Sequence, residues 1–174
     1  MNTNKAQHLI LTVGISASGK STWTKNKLVY DKYREVNRDD IRSEFAPTLH
    51  SGDCKMYYEA PNLREMEDEV TKIQWYWINN YINDGYHVII SDTNLSEYIR
   101  NKFIKYAKEK GLYLEYEVFN IDLNLALEYD SNRERKVGKE VIMKQYRSFI
   151  RFLRRKDDEL ETFRSGIENN ANEN

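Results

Sequence analysis

The stretch His8-Leu9-Ile10-Leu11-Thr12-Val13-Gly14-Ile15-Ser16-Ala17-Ser18-Gly19-Lys20-Ser21-Thr22 decides how this chain reads. Its apolar, β-branched first half ends at Gly14, which makes His8 to Val13 a buried strand candidate. Gly14, four spacers, Gly19, Lys20 and Ser21 then reproduce the spacing of a phosphate-binding loop, the Walker A pattern, and Ser21 to Val29 reads as the helix that must follow it. A helix N-terminus offers unpaired N–H groups and a partial positive charge to an anion. Glycines let the backbone wrap close to phosphate oxygens. The candidate nucleotide contacts are therefore Gly14, Ser16, Ala17, Ser18, Gly19, Lys20, Ser21 and Thr22. Lys20 can reach the β- and γ-phosphates, and the Ser21 hydroxyl can ligate Mg²⁺. His8 to Ile15 follows Lys5 as the apolar core of a leader would, but it runs into a glycine loop and a charged helix instead of a cleavage site.

Outward from this stretch, strands and helices alternate. Tyr33 to Asn37 reads as a second strand, and Asp40 to Phe45 as a helix that Pro47 stops. Ala46 to Asn62 holds both prolines, a glycine, Cys54, Tyr57 and Tyr58, and reads as a loop. Leu63 to Asn83 is a long helix closed by Asp84-Gly85. A strand at His87 to Ser91, a helix at Ser96 to Lys110 capped by Gly111, and a strand at Leu112 to Phe119 follow. Asp122 can N-cap a helix to about Asn132. Val137-Gly138 breaks the pattern before a last helix, Lys139 to Lys156. This order predicts an α/β fold with a parallel sheet covered on both faces, whose ligands bind beyond the carboxyl ends of the strands.

At 174 residues, with 40% hydrophobic and 32% charged residues, the composition fits one globular domain, expected at 1–164, with a fraying Asn- and Glu-rich tail at 165–174. No apolar run approaches the roughly 20 residues that a bilayer requires. The single cysteine, Cys54, excludes an internal disulfide, and His8, His50 and His87 lack metal-ligand spacing. A reducing, cytoplasmic setting is the expectation. The net charge of -1 excludes a basic nucleic-acid coat. The charge is uneven, however: Arg133 to Lys156 carries ten Lys/Arg against two Asp/Glu, while Asp157 to Asn174 carries six acids and one arginine. Arg147, Arg151, Arg154 and Arg155 recur at helical spacing and can steer a nucleic-acid backbone or form a solvated face.

Two further blocks fall at predicted strand ends. Asn37-Arg38-Asp39-Asp40-Ile41-Arg42 supplies a carboxylate that can accept a proton from an attacking hydroxyl and arginines that can fork onto a phosphate. The same block also reads as an ordinary helix start capped by Asp39 or Asp40. Ser91-Asp92-Thr93-Asn94 ends an apolar strand in an acid, as the metal-side acid of phosphate-loop proteins does, or forms a plain strand-to-helix turn.

In order and spacing, the phosphate loop, the NRDDIR block and the VIISDTN strand resemble the kinase domain of the phage polynucleotide 5'-hydroxyl kinase family, from about Leu9 to about Arg151. The resemblance implies a P-loop kinase (adenylate-kinase-like) sheet with an arginine-bearing lid. It also implies ATP or another nucleoside triphosphate as donor, Mg²⁺, and the 5'-OH end of DNA or RNA as acceptor. Lys20 and Ser21 match the phosphate and magnesium residues, and Asp39 the general base. Arg42 matches an arginine on the acceptor phosphate, and Asp92 the acid that holds that arginine. Arg38, Thr93 and Asn94 fall in the same blocks as acceptor-pocket residues. In the lid, Arg133 takes the second of two arginine positions before the Val137-Gly138 step. Tyr129 occupies the first, and Arg135 is the candidate substitute. No DxDxT-type phosphatase motif is present, so a kinase without 3'-phosphatase activity is expected. A nucleoside, a small metabolite or a hydroxymethylated base in DNA remains an alternative acceptor, and a non-catalytic nucleotide switch a further reading. Among the aromatics, Trp75, Tyr76 and Trp77 read mostly as core, with Ile73, Trp77 and Tyr81 as a buried face. Tyr57 and Tyr58 read as base-stacking candidates. Oligomeric state is left open.

Overall fold

The computed structural model describes residues 7–45, 55–58, 60–161 and 163. Strand β1 (His8–Val13) lies inside the sheet, and Leu9, Ile10, Leu11, Thr12 and Val13 are all buried. Burial on both faces is what an uninterrupted apolar strand requires, and a parallel sheet provides it. Helix α1 (Lys20–Leu28) follows, then β2 (Tyr33–Val36), α2 (Arg38–Phe45), the single turn α3 (Lys55–Tyr58) and the long α4 (Leu63–Asn83). The second half comprises β3 (His87–Ile90), α5 (Glu97–Lys110), β4 (Tyr113–Val118), α6 (Leu123–Asn132) and α7 (Lys139–Leu153). All pairings are parallel, in the order β2-β3-β1-β4. The register sets Leu11 opposite Ile90, Val36 opposite Ile90 and Val13 opposite Val118, so the carboxyl ends of all four strands share one edge.

Helix α4 packs on β2, β3 and α2, α5 packs on β4, and α6 packs on α7. The core joins Leu9, Leu11, Val88 and Ile90 of the sheet to Ile78, Phe103, Phe149 and Phe152 of the helices. The fully buried face of α4 is Val70, Gln74, Ile78 and Ile82; of the expected Ile73, Trp77 and Tyr81, Ile73 and Tyr81 pack partly buried against the core, and Trp77 does not. Trp77 is 41% exposed and Tyr76 61% exposed, and Trp77 stacks on Tyr81 at the surface. Trp75 meets Phe103 and Tyr106 as expected. From Ile73 to Ile78 every residue except Gln74 is apolar or aromatic, so spacing alone could not choose the face.

Helix α2 begins two residues earlier than expected because Asn37 caps it, its Oδ1 accepting from the Asp39 amide at 2.7 Å. α7 stops at Leu153 and not Lys156, and the chain is helical again over 156–161. Residues 55–58 form a turn of helix within the span read as a loop. Pro47, His50, Cys54 and the 165–174 tail lie outside the described residues. Within the acid-rich end, Glu159 is not solvated. It pairs with the buried Arg100 at 2.6 Å and accepts from the Tyr116 hydroxyl at 3.1 Å. Among the described residues, no helix is long and apolar enough to cross a membrane.

Candidate active site

Beyond β1 the chain turns through Gly14 to Gly19. A Cβ at Gly14 would lie 2.9 Å from both the Phe119 Cβ and the Ser18 Oγ, so no larger residue fits there. Gly19 takes a φ of 94°, which glycine tolerates, and Ala17 takes 62°. Lys20 opens α1 and is only 8% exposed; its ammonium donates to the carbonyls of Gly14 at 3.0 Å and Ile15 at 2.6 Å. Burial, and next the repulsion of Arg133, lower its pKa to about 8, against the opposing pull of Asp92 and Asp39. Four groups drawn from separate segments of the sequence therefore share one electrostatic neighbourhood. Ser21 and Thr22 are exposed in the first turn of α1. The loop is also tied to α7, where the Gln145 Oε1 accepts from the Ser16 amide at 2.8 Å.

Beyond β2, the Asn37 side-chain amide donates to the Ser91 hydroxyl at 2.8 Å, and Ser91 donates to Glu35, joining the ends of β2 and β3. α2 then presents Arg38 and Arg42, one turn apart, to α4. Glu67 receives both. Arg42 is held by two bonds, Nε to Oε1 at 2.8 Å and a terminal nitrogen to Oε2 at 2.9 Å, and Arg38 reaches Oε2 at 2.8 Å. The Tyr57 hydroxyl donates to the same carboxylate at 2.7 Å. Burial alone would raise the Glu67 pKa, but the hydrogen bonds from Arg42, Tyr57 and Arg38 bring it down to about 2. The remaining terminal nitrogen of Arg42 donates to one Asp39 oxygen at 2.8 Å, and the Asp39 side chain is 60% exposed. Asp39 thus reaches solvent next to a held arginine.

Asp92 accepts from the Arg38 amide and from the Gln74 side chain, each at 2.9 Å, and burial pushes its carboxyl up to about 6. Asp92 is not the partner of Arg42, contrary to the expectation; Glu67 takes that place because the guanidinium turns toward α4. Asn94, at a φ of 48°, donates to the carbonyls of Thr12 and Ile90, each at 2.9 Å, and so fastens β1 to β3. Arg38, Gln74, Asp92, Thr93 and Asn94 line part of a cavity of about 290 Å³. Tyr57 is 2% exposed and bound to Glu67, so it does not offer a stacking face, whereas Tyr58 is 48% exposed.

The turn between α6 and α7 is built on Asp130. Asp122 caps α6, accepting from Asn124 at 2.8 Å. At the other end of α6, the carboxylate of Asp130, 4% exposed, accepts from the amides of Val137 at 3.0 Å and Gly138 at 2.9 Å, and Arg133 lies 2.8 Å from it. Burial opposes ionisation, but these amides and Arg133 leave the Asp130 pKa lowered. The only signal in the sequence was its place three residues before Arg133. Tyr129 is 49% exposed. Among the described residues, no three His, Cys, Asp or Glu side chains cluster as a self-sufficient metal site.

Comparison with known proteins matches residues 9–153 to the family described as AAA domain. A protein described as a putative bifunctional polynucleotide kinase/RNA ligase of Autographa californica nuclear polyhedrosis virus is 30% identical over 152 residues, covering 84% of this chain and 21% of its own length. The chain therefore spans about a fifth of that relative. A chain in the structure of the Pnkp1/Rnl/Hen1 RNA repair complex superposes with a TM-score of 0.72 at 23% identity, covering 88% of this chain and 47% of that one. A chain of the PezAT chromosomal toxin-antitoxin system of Streptococcus pneumoniae superposes with a TM-score of 0.62 at 19% identity, covering 90% and 65%. At these identities the two superpositions show the fold: a four-stranded parallel sheet flanked by helices, of the P-loop kinase kind.

Proposed function

The chain belongs to the AAA domain family over residues 9–153, and from that premise we propose that it is a polynucleotide 5'-hydroxyl kinase, moving the γ-phosphoryl group of ATP or another nucleoside triphosphate to the 5' end of DNA or RNA. One observation carries the reading: the Gly14 amide of the phosphate loop donates to the Thr93 carbonyl at 3.2 Å, and the Arg38 amide that opens α2 donates to Asp92 at 2.9 Å, so the loop and the acid-bearing block meet on the residues that follow β3. That adjacency supports a donor site and an acid-bearing acceptor site side by side. The relative that is 30% identical is described as a polynucleotide kinase/RNA ligase, which favours a nucleic-acid acceptor.

In this reading the 5' oxygen attacks the γ-phosphorus in line, the bond from phosphorus to the bridging oxygen breaks, and the diphosphate leaves. The proton of the attacking hydroxyl passes to the exposed oxygen of Asp39. Arg42, held by Glu67 and Asp39, keeps one N–H on each terminal nitrogen to offer the acceptor phosphate, with Arg38 in the adjoining wall. Lys20 and the loop amides hold the donor, and Arg133 stabilises charge on the transferred group. The Ser21 hydroxyl, exposed in the first turn of α1, would hold Mg²⁺, which takes few protein oxygens and fills its shell with water and phosphate. When bound, that ion supplies charge neutralisation on the β- and γ-phosphates. No 3'-phosphatase activity is expected from these residues.

An acceptor panel tests the proposal. Oligonucleotides ending in 5'-OH are expected to take label from γ-labelled ATP, and Asp39→Asn to abolish turnover while nucleotide binding survives. Near-normal turnover by the Asn variant would remove Asp39 from its role. The cavity beside Asp92, about 290 Å³, favours one second reading, a nucleoside or small-metabolite acceptor. Label appearing only on such acceptors would establish it.

A further inference from the structure

Helix α7 carries the basic run that the reaction leaves unused, and the structure divides it into two groups. Arg147 is exposed and does not line the groove described next. Lys144, Ser148, Arg151, Arg154 and Arg155 line a groove of about 700 Å³ that Glu97 and Arg100 of α5 close on the other side. Two of its charges are spent. Arg100 is buried against Glu159, and Arg155 pairs with Glu97 at 2.7 Å. Glu97 is the one carboxylate among the groove-lining residues. Lys144, Arg151 and Arg154 are exposed, and no ion pair to a carboxylate is seen for them among the described residues. The Arg151 guanidinium donates to the Ser148 hydroxyl at 3.1 Å, which orients it along the groove.

Position gives this charge a meaning. Thr93, Leu95 and Ser96 line both the groove and the Asp92 cavity, so one wall separates and joins them. Gln145 sits in the groove and also holds the Ser16 amide of the phosphate loop. The groove therefore starts at the reacting centre and runs outward along α7. From Val141 to Leu153 the helix rises about 18 Å, far more than one nucleotide needs.

We propose that this groove binds the sugar-phosphate backbone of the acceptor strand downstream of its 5' end, with Lys144, Arg151 and Arg154 on successive phosphates. The inference rests on the polynucleotide reading above and adds to it a preference for strands over single nucleotides. Backbone contacts of this kind are insensitive to sequence and sensitive to salt.

The test separates the groove from the reaction. Binding of a fluorescent, already 5'-phosphorylated single strand of about twelve nucleotides is followed by anisotropy against salt, in the wild type, in Arg151→Ala/Arg154→Ala and in Arg147→Ala. Losing two phosphate contacts should weaken binding by at least about tenfold near 0.1 M salt and flatten the slope of log K against log salt by about 1.4. Arg147→Ala should leave both unchanged within about twofold. In parallel, KM for a 5'-OH strand should rise in the double variant while KM for a nucleoside 3'-monophosphate holds. Equal strand binding by wild type and double variant overturns the groove, as does an equal loss in Arg147→Ala. Variant-sensitive binding to anionic lipid vesicles that matches binding to the strand also overturns it, in favour of a membrane surface. If the wild type phosphorylates neither acceptor yet binds the strand through these arginines, the groove stands and the reaction assignment falls.

Discussion

Around Arg42 every guanidinium nitrogen has a carboxylate partner, two bonds going to Glu67 and one to Asp39. Glu67→Gln keeps the shape and removes the charge. Hydrogen bonds to charged groups are worth about 1.5–3 kcal/mol, so a loss of that order is expected in urea unfolding at neutral pH. The pH dependence has a fixed sign. The folded pKa, about 2, lies below the ordinary 4.5, so the native state binds fewer protons between those values and the contribution of Glu67 is complete above about 4.5. It fades as pH falls toward 2, and the stability gap between wild type and Glu67→Gln should narrow over that window. A gap independent of pH would mean that the carboxylate charge is not what holds Arg42. KM for the acceptor should rise in the variant, since an unheld Arg42 has more rotamers to lose on binding. Arg38 and Arg42 were legible in the sequence as a one-turn pair beside two acids. Glu67 was not, because the partner of a helix face is chosen by packing of α2 on α4, which local spacing does not encode.

Between α6 and α7 the chain makes a turn held by one carboxylate. Asp130→Ala leaves the amides of Val137 and Gly138 without their acceptor, at a cost of about 1–3 kcal/mol. The same variant frees Arg133, so a lower melting temperature and a lower kcat should appear together. Arg133→Ala separates the two effects. The Val137 and Gly138 amides still hold Asp130, so stability should fall less than in Asp130→Ala, while kcat should fall by about 10²–10³ if Arg133 meets charge that develops in the transition state. A kcat within about threefold of wild type would exclude that role. At this scale the sequence was most informative where local chemistry decides, as in the Asp122 cap, the Gly111 C-cap and the Val137-Gly138 break. It misled where several faces of a helix are apolar. The buried side of α4 depends on what β2 and β3 present to it, and the single turn at 55–58 has too few residues to show a period.

Across the molecule, the parallel register brings the carboxyl ends of β1, β2 and β3 to one edge. Lys20 reports on that convergence because its pKa, about 8, contains contributions from each part: burial in the loop, Arg133 from the lid, Asp92 from β3 and Asp39 from α2. Two consequences share one pH window. The folded value lies below the ordinary 10.5, so between about 8 and 10.5 the unfolded chain holds the extra proton, and Lys20 adds stability as pH rises. Nucleotide affinity moves the other way, because a neutral amine no longer attracts phosphate; the ADP Kd should climb by up to about tenfold per pH unit above the folded pKa. The variants then sort by sign. Arg133→Ala removes a repulsion and should move the onset of weakening to higher pH. Asp39→Asn and Asp92→Asn each remove an attraction and should move it lower. Three opposed displacements measured on one lysine by ADP titration require three distant stretches of sequence to meet at the phosphate loop. An onset that stays fixed in all three variants would separate the lid and the acceptor acids from the loop and dissolve the site as described.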